Sequence, residues 1–296
     1  MRIYRIHSKF VYIHNICSVN MGPCEIFYYS GTGNSLHVAR ELNKRIPDSV
    51  LKPILGFQDK EIVRTKGDAV GFVFPIYFMT IPAPVREFIE KLDMDSANYI
   101  FMSATRIGTY TVAVPLMRKL LGKKKKGLDS HFMINMLSNS PTGLKPGKGD
   151  KNWANKTREA EIKRVDGEIL PDIERISKVV AKRSPERSYP DPVRSAVNLI
   201  MDPVVKNIKS EVGYYVDDGC NGCGTCEKIC LSGKIELSDG KPVWRDDIDC
   251  YYCFACFNFC PEQAILVSKK YDKKEGRFRR PDVSTEDIAG QKRPLR

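Results

Sequence analysis

The sequence predicts an α/β protein: an open, doubly wound sheet of five parallel strands, followed by a small α+β module built around cysteines. Three observations predict it. Strand-like and helix-like segments alternate over residues 21–183. A turn dense in glycine and hydroxyl groups, Ser30-Gly31-Thr32-Gly33-Asn34-Ser35, separates the first strand from the first helix. Eight cysteines then fall in two runs of identical spacing between residues 220 and 260.

The elements follow in order. Residues 1–20 carry Arg2, Arg5 and Lys9 ahead of a mixed stretch broken by His14 and Asn15. A signal peptide needs a cleaner apolar run and a small-residue cleavage site. The segment reads as an upstream extension, with Met21 as an alternative start. Glu25–Tyr29 is a short aromatic and β-branched run, the first strand. Leu36, Val38, Ala39, Leu42 and Ile46 then recur at helical spacing. A second strand is expected near Val50–Ile54. Residues 68–74 are an apolar run bounded by Gly67 and Pro75, as in a strand buried on both faces. Pro82–Leu92 reads as a helix with proline in its first turn. Tyr99–Ser103 is the fourth strand, Thr111–Leu121 a helix, and His131–Leu137 the fifth strand. A polar loop, Ser138–Asn152, precedes a long helix over Lys156–Lys182. Its apolar stripe is Ile162, Val165, Ile169, Ile173, Ile176 and Val180. Residues 184–212 read as a linker with a helix at Ser195–Ile208, residues 213–267 as the cysteine module, and 268–296 as a basic tail. The two cysteine runs are the only internal repeat.

Those runs are Cys220-x2-Cys223-x2-Cys226-x3-Cys230 and Cys250-x2-Cys253-x2-Cys256-x3-Cys260-Pro261. This is the spacing of bacterial two-cluster ferredoxins, in which the fourth cysteine of each run ligates the other run's cluster. It predicts one [4Fe–4S] cluster on Cys220, Cys223, Cys226 and Cys260, and a second on Cys250, Cys253, Cys256 and Cys230. Zinc sites use two close pairs rather than triplets with a trailing cysteine. The first run departs from the pattern at Leu231, where proline usually follows; no ligand is lost. Cys17 and Cys24 remain as free thiols of a reducing compartment. Clusters of this class are oxygen-labile, so a cytoplasmic, anaerobic setting is expected.

A hydrophobic content of 42% is that of a soluble globular chain, and no stretch is long and apolar enough for a bilayer. The formal charge of +12 is unevenly spread. Residues 213–267 carry a net −5, residues 101–150 a net +7, and the tail 268–296 a net +5. Lys123–Lys126 join a helix to a strand at the end of the sheet away from the glycine turn and read as a solvated turn. Lys145, Lys148 and Lys151 lie on the turn's side and suit docking of an acidic partner protein. The aromatic interleaving of a single-strand binder is thin, Tyr271 and Phe278 only, so nucleic acid is not an expected partner. A monomer and a dimer both remain open.

The loop after the first strand is a phosphate cradle. Glycines let backbone amides approach an anion, and the helix N-terminus adds favourable partial charge. The hydroxyls of Ser30, Thr32 and Ser35 and the amide of Asn34 add donors. Neither G-x-x-x-x-G-K-[ST] nor G-x-G-x-x-G is present, which argues against triphosphatase and dinucleotide loops.

Phe27-Tyr-Tyr-Ser-Gly-Thr-Gly-Asn-Ser35 resembles the phosphate loop of flavodoxins, which hold flavin mononucleotide (FMN). With the cysteine runs and the stretch from Trp244 to Ile265, residues 21–267 resemble the flavodoxin–ferredoxin fusion proteins of anaerobic bacteria and archaea. The middle, 140–212, matches only in outline. The resemblance implies a flavodoxin-like sheet, FMN on Ser30, Gly31, Thr32, Gly33, Asn34 and Ser35, and two further loops facing the ring. One is Pro75–Thr80, where Tyr77 or Phe78 would stack on the flavin. The other is Ala104–Thr109, with Thr105, Arg106 and Gly108. Flavodoxins often carry acids there; Arg106 would instead stabilise the anionic reduced ring. The function implied is electron transfer among two clusters, FMN and a partner redox protein. The alternative is a flavin-dependent oxidoreductase acting on a quinone, nitro compound or pterin. Cover of the flavin face by Ser138–Asn152 or by the linker separates the two. None of His7, His14, His37 and His131 is placed as a general base, so no catalytic residue is expected.

Overall fold

A computed structural model describes residues 22–107, 111–139, 158–186, 212–267 and 277–295. In chain order, β1 is Cys24–Tyr28, α1 Asn34–Arg45, β2 Ser49–Pro53, β3 Val63–Arg64, β4 Ala69–Pro75 and α2 Ala83–Lys91. Then come β5 Leu92–Asp93, β6 Tyr99–Arg106, α3 Ala113–Gly122, β7 Ser130–Asn135 and α4 Arg158–Ala181. Parallel pairing runs β2-β1-β4-β6-β7. Among the five sheet strands that order is 2-1-3-4-5, the flavodoxin-like arrangement, whose switch point lies between the first and third strands. Right-handed crossovers on either side of a switch point send helices to opposite faces. Accordingly α1 packs with α4, and α2 with α3. Every residue of β1 and β4 is buried, as a sheet covered on both faces requires.

The one charge inside β1 is explained locally. Glu25 is 4% exposed and meets Lys52 of the edge strand at 2.5 Å. The Thr65 hydroxyl and the Lys66 N–H also donate to it. Burial alone would raise its carboxyl pKa, but these donors hold it below the usual value. Cys24, the first residue of β1 and at the far end of the strand from the glycine turn, is buried, and burial pushes its thiol up to about 12, so it is an inert core residue.

Two features differ from the sequence reading. Val63-Arg64 and Leu92-Asp93 form a small parallel pair outside the main sheet; two-residue strands carry no periodicity to detect. Lys123–Lys126 are more than a solvated turn. Lys124 Nζ donates to the Glu90 carbonyl, and Lys126 Nζ to those of Asp95 and Ala97. They bind carbonyls at the end of α2 and in the turn after β5. The extension 1–20, the lysines at 145, 148 and 151, and the helix expected at Ser195–Ile208 lie outside the described residues.

The C-terminal module contains β8 Tyr214–Val216, α5 Thr225–Ile229, β9 Ile235–Ser238, β10 Lys241–Trp244, α6 Ala255–Phe259 and β11 Ile265–Val267. β8 pairs with β11 and β9 with β10, both antiparallel. Each cysteine run winds into a five-residue helix through two left-handed residues. In the first run these are Gly222 and Gly224, both at φ +74°. In the second they are Tyr252 at φ +53° and Phe254 at φ +54°. Glycine adopts that conformation without penalty, whereas other residues lose roughly 1–2 kcal/mol. The tail adds α7, Thr285–Ala289, closed by a capping box between Ser284 and Asp287. No helix among the described residues is long and apolar enough to cross a membrane.

Candidate functional site

The loops leaving β1, β4, β6 and β7 converge at the carboxyl edge of the sheet around a cavity of about 310 Å³. That volume lies within the range of small-molecule and cofactor sites, roughly 300–1,000 Å³. Of the sequence-predicted residues, Ser30, Gly31, Thr32, Asn34, Ser35, Pro75, Tyr77, Phe78, Thr105 and Arg106 line it. Gly33 turns the chain behind the loop at φ +103° as the N-cap of α1. Gly108 lies outside the described residues. Arg106 is the only charged side chain among the described lining residues, so the cavity carries positive charge and no acid.

The loop hydroxyls do not all face an incoming anion. Ser30 Oγ accepts from the Gly33 N–H at 3.2 Å, and Ser35 Oγ pairs with Thr105 Oγ1 at 2.7 Å. The Asn34 Nδ2 group donates to the Leu137 carbonyl at 3.0 Å. Asn34 therefore pins the loop after β7 rather than offering its amide to a ligand. Its Oδ1 is buried with no partner among the described residues. The N–H groups of Thr32, Asn34 and Ser35 stand at the start of α1, where a helix leaves its first donors unpaired. The cavity thus has helix-terminal amides, one guanidinium and apolar walls, a donor set suited to a phosphate ester joined to an aromatic ring.

The cysteine module forms part of the same wall. Phe254 lines the cavity, and its neighbour Cys253 lies against the phosphate loop. A Cβ at Gly31 would fall 2.6 Å from the Cys253 carbonyl oxygen, 2.8 Å from Cys253 Cβ and 2.5 Å from Tyr77 Oη. Tyr252 meets Phe78 edge-on at 5.6 Å, and Tyr251 meets Tyr29 at 6.4 Å. The left-handed strain at Tyr252 and Phe254 therefore places two aromatic rings where the first run has none. Phe78 and Met79, across the cavity, also sit at positive φ, +47° and +65°. Strain of this kind gathers where side chains must be aimed.

The cysteines sort into two groups. Cys220, Cys223, Cys226 and Cys260 surround one small cavity. The thiol of Cys226 is raised to about 11, first by burial and then by the nearby Cys260 and Cys220. Cys253 is pushed to about 12 by burial and by Cys250 and Cys230. Cys256 is held well above the usual thiol range by burial, then by Cys253, Cys250 and Cys230, with Cys226 of the first group the last contributor. Such thiols do not ionise unaided; a coordinated metal supplies the positive charge that deprotonates them. Among the described residues no three potential ligands converge on the position of a single ion. The first group is the more open, with Cys223 exposed and Cys220 partly so, whereas Cys253 and Cys256 are 9% exposed.

The described part of the basic tail, 277–295, lies against both modules. Gln291 is fully buried and pairs with both backbone groups of Ser30, accepting from its N–H at 2.9 Å and donating to its carbonyl at 2.8 Å. The Arg280 N–H donates to the Thr32 carbonyl, and its guanidinium binds Asp166 and Asp282. His37 joins the same cluster through Asp282 at 2.7 Å. On the other side, Lys292 Nζ donates to the Cys230 carbonyl and Lys228 pairs with Glu286. Arg277 stacks over the Phe257 ring at 3.6 Å. Gln291→Ala is expected to destabilise the protein by about 1–3 kcal/mol, because two buried backbone groups lose their partners. Denaturant midpoints at unchanged slope would measure it; no shift would show that water replaces the amide.

The sequence reading missed Phe254, Asn139 and Gln291. Phe254 carried a signal: an aromatic stands where the first run has Gly224. Asn139 donates to Thr32 Oγ1 and accepts at its carbonyl from Asn258, joining the two modules. Nothing local marks it, or Gln291, because both act through chain-distant partners. The loop 140–152 and most of the linker, proposed as covers of the flavin face, lie outside the described residues.

Residues 219–265 match the family of 4Fe-4S dicluster domains. The chain is similar to a ferredoxin of Methanothermococcus thermolithotrophicus, 33% identical over 54 residues, which are 18% of this chain and 90% of the ferredoxin. Among solved structures it is similar to a putative flavoprotein from Bacteroides uniformis, with 17% identity and a TM-score of 0.32, covering 40% of this chain and 93% of that one. An azoreductase from Bacillus anthracis gives 12% identity and a TM-score of 0.30, covering 54% of this chain and 99% of that one.

Proposed function

Through residues 219–265 the chain belongs to the 4Fe-4S dicluster ferredoxins, and from that premise we propose that it passes electrons between two [4Fe–4S] clusters and an FMN, and on to a partner redox protein. When bound, the clusters supply one-electron steps and the flavin a carrier that holds two. One observation supports the reading above others: the cysteine module and the phosphate loop share a wall, with the Cys253 backbone packed on Gly31 and Phe254 lining the cavity. A second cofactor site in contact with the first is what short-range transfer needs.

In this reading Cys220, Cys223, Cys226 and Cys260 hold one cluster, and Cys230, Cys250, Cys253 and Cys256 the other. The amides at the start of α1 and the Thr32 hydroxyl hold the FMN phosphate, and Arg106 offsets negative charge on the reduced ring. Phe78 and Phe254 exclude water from the cavity. Exchange with the partner protein takes place at the end bearing the exposed Cys223. That partner is recognised by charge, and an acidic one would meet the lysines of the loop after β7.

The experiment is anaerobic reconstitution with analysis of iron, sulfide and flavin. About eight irons and one FMN per chain are expected. Thr32→Ala combined with Asn34→Ala should weaken FMN binding roughly ten- to a hundredfold. One hydroxyl donor to a charged oxygen is lost, worth about 1.5–3 kcal/mol, and the loop after β7 is released. Fluorescence titration reads the affinity. A chain that takes up no FMN would refute the flavin half of the reading; binding of nicotinamide dinucleotide would redirect it towards the small-molecule oxidoreductase.

A further inference from the structure

Asn258 lies in α6, between Cys256 and Cys260, and is 5% exposed. Its side-chain amide is engaged on every side. Oδ1 accepts from the Phe278 N–H of the tail at 2.8 Å. Nδ2 donates to the Phe254 carbonyl one turn back and to the Asn139 carbonyl, both at 2.9 Å. The cysteine run does not itself call for an amide here. At the matching place of the first run stands Lys228, exposed and paired with Glu286. The loop after β7 is thus held twice, at the Leu137 carbonyl by Asn34 and at the Asn139 carbonyl by Asn258. So held, Asn139 donates from Nδ2 to Thr32 Oγ1 in the phosphate loop. A side-chain amide nitrogen only donates, so the Thr32 oxygen is the acceptor in that bond and its own hydrogen is left to be given. Thr32 is 1% exposed and lines the cavity, as does Asn139.

We propose that Asn258, acting with Asn139, is a positioning residue for the flavin phosphate: through these two amides the cysteine module sets the Thr32 hydroxyl to donate to a phosphate oxygen. The inference rests on the FMN reading above. A hydroxyl rotates to suit its neighbours. With its oxygen already accepting from Asn139, the Thr32 hydroxyl has fewer directions open to its hydrogen. A donor set beforehand loses less freedom when the ligand arrives, and its bond to a charged oxygen is of the stronger kind. The phosphate site is therefore complete only with the module seated. By linkage the dependence is mutual, so bound FMN also holds the module down. Asn258 acts through Asn139 and Thr32, not on the ligand itself.

The test uses the full-length protein, reconstituted with its clusters under anaerobic conditions, freed of flavin and titrated by fluorescence with FMN and with riboflavin. Riboflavin has the same ring and ribityl chain but no phosphate. Asn258→Ala and Asn139→Ala are each expected to weaken FMN binding roughly three- to thirtyfold and to leave riboflavin binding unchanged. Repeated in a Thr32→Val background, neither substitution should weaken FMN binding further. Equal loss for both flavins would mark a packing effect and overturn the proposal. Full additive loss in the Thr32→Val background would overturn it too, because the amides would then act by another route, and so would unchanged FMN affinity in either variant. Asn139→Ala, outside the cysteine module, decides the matter if Asn258→Ala does not load its clusters. A wild-type protein that binds no FMN would instead refute the flavin reading, and the proposal with it.

Discussion

Cys230→Ser is expected to disturb the cysteine group of the second run and to leave the first run's cluster in place. The reason is the turn after α5. Cys226 and Cys230 are four residues apart in sequence, yet Cys226 is grouped with Cys220 and Cys260. Cys230 instead influences Cys250, Cys253 and Cys256. The Cys230 carbonyl is fixed by Lys292, so the residue cannot readily swing to the other group. Serine is a harder and less acidic ligand than thiolate. Iron analysis should show loss of up to about half the metal, with the surviving signal that of the cluster on Cys220, Cys223, Cys226 and Cys260. Loss confined to that cluster would show that the ligands are not crossed.

The second large effect is at Gly31. A single methyl group there would meet the Tyr77 hydroxyl at 2.5 Å, the Cys253 carbonyl at 2.6 Å and Cys253 Cβ at 2.8 Å. Two of these belong to a cysteine loop that cannot yield without moving its sulfur. Gly31→Ala is therefore expected to push the module off the phosphate loop, at a cost of about 1–3 kcal/mol. The melting temperature should fall, FMN affinity should drop roughly tenfold or more, and flavin–cluster transfer in stopped-flow should slow. Gly122→Ala is the control, since no atom lies within 4 Å of a Cβ there. Wild-type affinity and transfer in Gly31→Ala would mean that the two sites do not depend on the shared wall.

Much of this was legible before any coordinates. The main-sheet strands and α1–α4 fall within a few residues of their expected places, because buried parallel strands and amphipathic helices leave strong periodic signals; the five-residue helices α5–α7 are too short to leave one. Residues 220–260 announced their chemistry because ligand spacing is a local property. The mutual placement of the modules was not legible. It depends on Asn139, Gln291 and Arg280, each meeting a partner more than a hundred residues away. Asn34 shows a subtler failure: its type suited the ligand, but its side-chain donor went to the Leu137 carbonyl. Composition marks the tail only as basic; its buried Gln291 and Arg280 show how residues 277–295 hold the loop.

The paired left-handed residues of the two cysteine runs carry a consequence for assembly. A module built from two near-copies presents two near-equivalent faces to the flavodoxin-like domain. With glycines at 222 and 224 and aromatics at 252 and 254, the copies are no longer equivalent. Only the second presents rings to Phe78 and to the cavity. The strained aromatics thus act as a key that admits one orientation of a nearly symmetric part. They also decide which cysteine run packs inward and which is left facing the solvent.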